Sequence, residues 1–195
     1  MSPRTYNMGK RADAVERTRA AIRAAALEEY GDVAIGDASM QAIARRAGVA
    51  AGTVLYHYED AAALARDVVE HERDRVVVPT AASLDPTLPL AERVQWLART
   101  LFRMHAETDA VYRAWVRSRE HPVMREFEAW FGDTYQQVLG ATLAPDRTDP
   151  LAFQVVSAVI DPGFRSALLA RGLSEDAAAR EAAKLANGWL GTEPG

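Results

Sequence analysis

Apolar positions recur at intervals of three and four along nearly the whole chain, the spacing of an amphipathic helix. From about Asp13 to Tyr30, the residues Val15, Thr18, Ile22, Ala25, Ala26 and Tyr30 fall on one face, and Arg17, Arg19, Arg23 and Glu28 on the other. Gly31 to Ala38 holds two glycines and predicts a break. Ser39 is placed to cap a short helix over Met40–Ala47, which Gly48 stops, and a second short helix follows from about Ala50 to Tyr56. The next helix, about Asp60 to Val78, has Leu64, Val68 and Val69 on its apolar side, and its run His71-Glu72-Arg73-Asp74-Arg75 predicts a solvated face. Pro79 ends it. Pro79 to Pro89 holds three prolines and predicts a linker. Helices are then expected over about Leu90–Glu107, Asp109–Arg119, Pro122–Leu143, Pro150–Arg171 and Ser174–Leu190, with a kink at Asp161-Pro162-Gly163. No segment alternates as a strand would. The pattern predicts an all-α chain of about nine helices: an N-terminal three-helix helix-turn-helix domain over residues 1–58, including a short arm, and a C-terminal helical bundle over 59–195.

The stretch from Ser39 to Tyr58 carries the chemistry. A capped helix, a glycine turn and a second short helix make a helix-turn-helix. Ala44 and Ala47 let two helices cross closely, Gly48 permits a positive φ, and Ile43, Val49 and Val54 fill the space between. Such a unit lays its second helix in the major groove of DNA and anchors the first near phosphates. The same arrangement also serves all-α proteins that never touch DNA, so geometry alone leaves both readings open.

Residues 17–64 resemble the N-terminal domain of the TetR family of bacterial transcriptional regulators. The resemblance rests on Ile22, Ala25, Ala26, Tyr30, Ser39, Ile43-Ala44, Ala47-Gly48-Val49, Gly52-Thr53, His57, Tyr58 and Leu64, spaced without gaps. It implies a homodimer on palindromic double-stranded operator DNA, most simply a repressor, released by a small molecule. Carried over position by position, it implies DNA contact from Gln41, whose amide suits adenine or a phosphate. Ala51, Gly52, Thr53 and Tyr56 would form the exposed face of the recognition helix, and His57 would meet a phosphate. Arg45 and Arg46 are candidates for backbone contact or simply a solvated pair, and Arg4, Lys10 and Arg11 for contacts from the arm. The chain departs from the family at Ala50, where a capping serine is usual, at Leu55, where a phosphate-binding tyrosine is usual, and at Ala61, where lysine is usual. These departures imply an alternative: a TetR-like ligand-binding dimer with weakened or lost DNA binding.

In the second half, Val94, Leu97, Ala98, Leu101 and His105 form a stripe in which the histidine is the one polar intrusion. Trp96, Phe102, Tyr112, Trp115, Phe127, Trp130 and Phe131 add a concentration of aromatic rings. Rings with few polar groups suit a pocket for a largely apolar effector, and equally an ordinary core. The segment 150–171 is apolar nearly all round, which predicts burial on all sides. With the alanine-rich 174–190, it is expected to form a two-fold homodimer interface.

Charge alters this picture at one point. The net charge of −4 hides eight Lys/Arg against six Asp/Glu in residues 1–58 and fifteen against twenty-one in 59–195, so DNA contact is expected from the front only. With no cysteine and four histidines lacking metal spacing, no metal site, cofactor or catalytic residue is predicted, and the chain does not read as an enzyme. No apolar run approaches a bilayer span and no secretion core precedes Asp13, so a cytoplasmic protein without a membrane partner is expected.

Overall fold

The computed structural model describes residues 8–192. They form α1 (Met8–Asp32), α2 (Met40–Ala47), α3 (Ala51–His57), α4 (Ala61–Arg75), α5 (Leu90–Glu107), α6 (Asp109–Ser118), α7 (Pro122–Leu143), α8 (Pro150–Val159), α9 (Pro162–Leu169) and α10 (Glu175–Leu190), with no strand among the described residues. The all-α expectation holds. Among the described residues no helix is long and apolar enough to cross a membrane.

The chain divides into two compact units. One comprises the chain through Arg75 together with Ala110–Glu126; the other comprises Val76–Asp109 and the chain from Phe127 onward. The first unit thus takes in α4, most of α6 and the start of α7 besides the helix-turn-helix. Its core is Ile22, Ala26 and Tyr30 of α1, Ile43 and Ala44 of α2, Val54 of α3 and Leu64, Ala65 and Val68 of α4. The stripe on α4 continues one turn further to Glu72, four residues beyond Val68. Glu72 is therefore buried and receives Arg75 at 3.0 Å, which corrects the expectation that 71–75 is wholly solvated. Helix α1 starts at Met8, so Lys10 and Arg11 belong to it and not to a preceding arm, and it runs through Gly31 to Asp32. There α6 adds polar contacts: the Ile35 backbone N–H donates to Ser118 at 2.9 Å, and Arg117 donates to the Gly31 carbonyl.

In the second unit α5 packs along α10. Leu90, Val94, Leu97 and Leu101 meet a ridge of Ala178, Ala182 and Ala186, small enough for close approach. The buried Asn187 amide donates to the Ala91 carbonyl at 3.1 Å, so neither group is left dry. The expected kink in 150–171 is a full break. Pro162 lacks an N–H, and Asp161 accepts from the Gly163 N–H at 2.7 Å, so a new helix is capped and α8 stops at Val159. Nor is this segment buried all round: Leu151 is exposed, and Phe153, Val155 and Val159 are only partly covered.

Candidate nucleic-acid interface

Helix α2 is firmly terminated at both ends. The Ser39 hydroxyl accepts from the Ala42 N–H at 3.1 Å. Gly48 closes the helix in the left-handed region at φ 67°, and the Val49 N–H returns to the Ala44 carbonyl at 3.0 Å. The turn places Val54 of α3 against Ile43 and Ala44, all three fully buried. Ala50 stands at the N-cap of α3 and offers no side-chain bond. Asp60 caps α4 by accepting from the Ala63 N–H at 2.7 Å.

A polar cluster braces the far side of α3. Asp67 of α4 accepts from Arg19 at 3.0 Å, Arg23 at 3.3 Å and the Tyr58 hydroxyl at 2.6 Å, while the Arg19 guanidinium lies 5.6 Å from the Tyr58 ring centroid. Desolvation alone would raise the Asp67 carboxyl; the Tyr58 hydroxyl and the two guanidiniums outweigh it and hold Asp67 below its ordinary value. Burial pushes the Tyr58 phenol up. Arg46 is likewise engaged, with Glu29 at 3.1 Å and Asp32 at 2.8 Å, whereas Arg45 is exposed with no ion pair among the described residues. Arg19, Arg23 and Arg46 therefore hold the unit together, an assignment that helical periodicity by itself does not give.

What remains outward is small. Gln41 is exposed in the first turn of α2. On α3, Gly52 and Tyr56 are exposed, while Ala51 and Thr53 are half-buried. His57 is half-buried too, with its ring edge-on to Tyr56 at 5.2 Å. Leu55 is missing from the sequence-based face, yet it is 57% exposed beside Tyr56 at 78%. The signal was present: Leu55 lies three residues after Gly52, on the same side of a helix. Arg4 lies outside the described residues.

The aromatic residues fall into separate groups. Tyr112 and Trp115 stack at 5.9 Å in the first unit, with Arg119 over Trp115. In the second unit Phe102 is buried with His105, and Trp96 is partly buried against the core. On α7, Phe127 and Phe131 stack at 6.2 Å, Trp130 leans on both, and Tyr135 continues the row. Other buried polar groups stand off the stripe that carries His105. Arg93 on the same helix is buried against Asp146, and Arg165 is buried against Glu175. Burial, and then the positive Arg165, lower His105 to about 4, and its Nδ1 has no hydrogen-bond partner among the described residues.

This front unit defines a class: a helix-turn-helix domain, with a capped first helix, a left-handed glycine turn and a short second helix presented outward. Residues 22–68 match the model of bacterial regulatory proteins, tetR family. Among curated proteins none matches the chain. Solved structures with a similar fold include NalD, the secondary repressor of the MexAB-OprM multidrug efflux pump in Pseudomonas aeruginosa. It is 21% identical with a TM-score of 0.58 over 89% of this chain and 95% of that one. The transcriptional regulator FadR from Bacillus subtilis, solved in complex with stearoyl-CoA, is 16% identical with a TM-score of 0.54 over 85% of this chain and 96% of that one. At these identities the likeness is one of fold.

Proposed function

We propose that this chain is a ligand-responsive transcriptional regulator, a repressor that binds a palindromic operator as a homodimer and leaves it when a largely apolar small molecule binds. The observation that carries this reading is α3: a short helix anchored by Val54 and presenting Gly52, Leu55 and Tyr56 outward, within a segment matching a family of bacterial regulators. Gln41, Ala51, Gly52, Thr53, Tyr56 and His57 are the proposed DNA contacts, within residues 1–58. Residues 59–195 bind the effector and dimerise. Trp96, Phe102, His105, Tyr112, Trp115, Phe127, Trp130 and Phe131 are the proposed effector residues, and the faces of 150–171 and 174–190 the proposed dimer contacts. Effector binding shifts the population toward a spacing of the two recognition helices that no longer fits successive major grooves. Such a protein works where the DNA is, in the cytoplasm.

A second reading keeps the ligand-binding dimer and removes the DNA. Ala50 gives α3 no cap, Leu55 and Ala61 offer phosphates nothing, and Arg46 is occupied by Glu29 and Asp32. Fluorescence anisotropy with the DNA upstream of the protein's own gene, at two salt concentrations, separates the two readings. Saturable binding that weakens with salt supports the regulator; its absence leaves the second reading.

A further inference from the structure

The most outward surface of the recognition helix is largely apolar, with the Tyr56 hydroxyl its one polar side-chain group. Gly52, Leu55 and Tyr56 lie within one arc of α3, at i, i+3 and i+4. Leu55 is more than half exposed and Tyr56 more so. A Cβ built on Gly52 meets nothing within 4 Å, so a shallow open notch lies beside the two side chains. The helix is anchored through the fully buried Val54, and Leu55 is not among the buried core residues. Nor does this arc hold an Arg, Lys, Asn, Gln, Asp or Glu, the side chains that read base edges by paired hydrogen bonds. If α3 enters a major groove, the feature its apolar arc can distinguish is the thymine C5-methyl group, the one apolar substituent displayed there.

Building on the reading of the chain as a DNA-binding regulator, we propose that Leu55, with Gly52 and Tyr56, is a specificity determinant that recognises thymine methyl groups. Each operator half-site then carries thymines where this arc of α3 sits, and Leu55 and Gly52 recognise them by shape and methyl burial.

The test uses the full-length chain. Random-sequence duplexes are enriched on the wild type. The best-bound duplex is then remade with deoxyuridine for thymidine, which keeps the pairing edge and removes only the methyl. Dissociation constants are measured for both duplexes with the wild type and with Leu55→Ala, after circular dichroism confirms unchanged helicity. The wild type is expected to lose about threefold to fivefold per contacted methyl, and Leu55→Ala to bind the two duplexes within about twofold of each other, because the group that feels the methyl is gone. Equal binding of both duplexes by the wild type overturns the inference while leaving DNA binding intact. So does an undiminished deoxyuridine penalty in Leu55→Ala. If no duplex is enriched, the DNA-binding reading itself falls and the inference with it.

Discussion

Asp67 gathers three donors from two directions, and no other carboxylate among the described residues does as much for the front unit. Removing it leaves Arg23 without one partner and the Tyr58 hydroxyl without its acceptor, both in largely buried surroundings. Asp67→Ala should cost about 2–4 kcal/mol, the range for breaking a partly buried charged network, read as a lower urea midpoint. His105 supplies a pH dependence of its own. Its value when folded, about 4, lies below the ordinary 6.5, so the folded chain favours the neutral ring. That contribution is whole above pH 6.5 and is lost as the pH falls toward 4, because the unfolded chain takes up the proton first. The wild type should therefore lose about 2 kcal/mol between pH 7 and roughly pH 4.5 that His105→Leu does not lose, measured by urea unfolding at both pH values. A mutant that softens in acid as much as the wild type would remove His105 from the account.

Capping separates the helices that sequence reading located well from those it did not. Helix α2 lies where Ser39 and Gly48 place it, and α7 begins at Pro122 and ends at Leu143 as its pattern predicts. The segment 150–171 was misjudged because apolar periodicity runs straight through Asp161-Pro162; only the side-chain cap at Asp161 turns a kink into a break. Buried ion pairs were missed for a different reason. Arg93 meets Asp146 and Arg23 meets Asp67, partners more than forty residues apart, and a helical wheel has no access to them. The exposure of Leu55 is not given by its family position, which speaks only of a phosphate contact that leucine cannot make. The uncapped α3 yields a prediction of its own. Ala50 already has the extended backbone of an N-cap, φ −70° and ψ 147°, so a hydroxyl there needs no rearrangement. Ala50→Ser should stabilise the chain by about 0.5–1 kcal/mol and raise Tm by roughly 1–4 °C in a thermal melt. Ser39→Ala, which removes an existing cap bond, should move Tm down by a similar amount.

At the scale of the molecule, the question is what covers the apolar residues left bare on the second unit. Leu151 on α8 is 57% exposed, and on α10 Leu185 is 52% and Trp189 47% exposed. Gly188 lies between the last two, and a Cβ there would meet nothing from other parts of the described chain within 4 Å, so α10 presents a low point flanked by two large side chains. Small residues beside large apolar ones suit close approach of a second helix. A two-fold pairing puts the same patch on both sides, so every substitution counts twice. Losing about 1.4 kcal/mol of burial at each copy of Leu185 should weaken the dimer about a hundredfold. Sedimentation velocity should accordingly find a dimer for the wild type and a monomer for Leu185→Glu at the same micromolar concentration. Trp189 adds an independent readout, since dilution of the wild type should shift its emission to the red as water reaches the ring, while Leu185→Glu should show the red-shifted emission at every concentration. A wild type that sediments as a monomer, or a Leu185→Glu variant that stays dimeric, would send the interface elsewhere on the chain. The palindromic operator proposed above would then have to be met by some other two-fold contact, because a single copy of α3, uncapped and seven residues long, offers one half-site only.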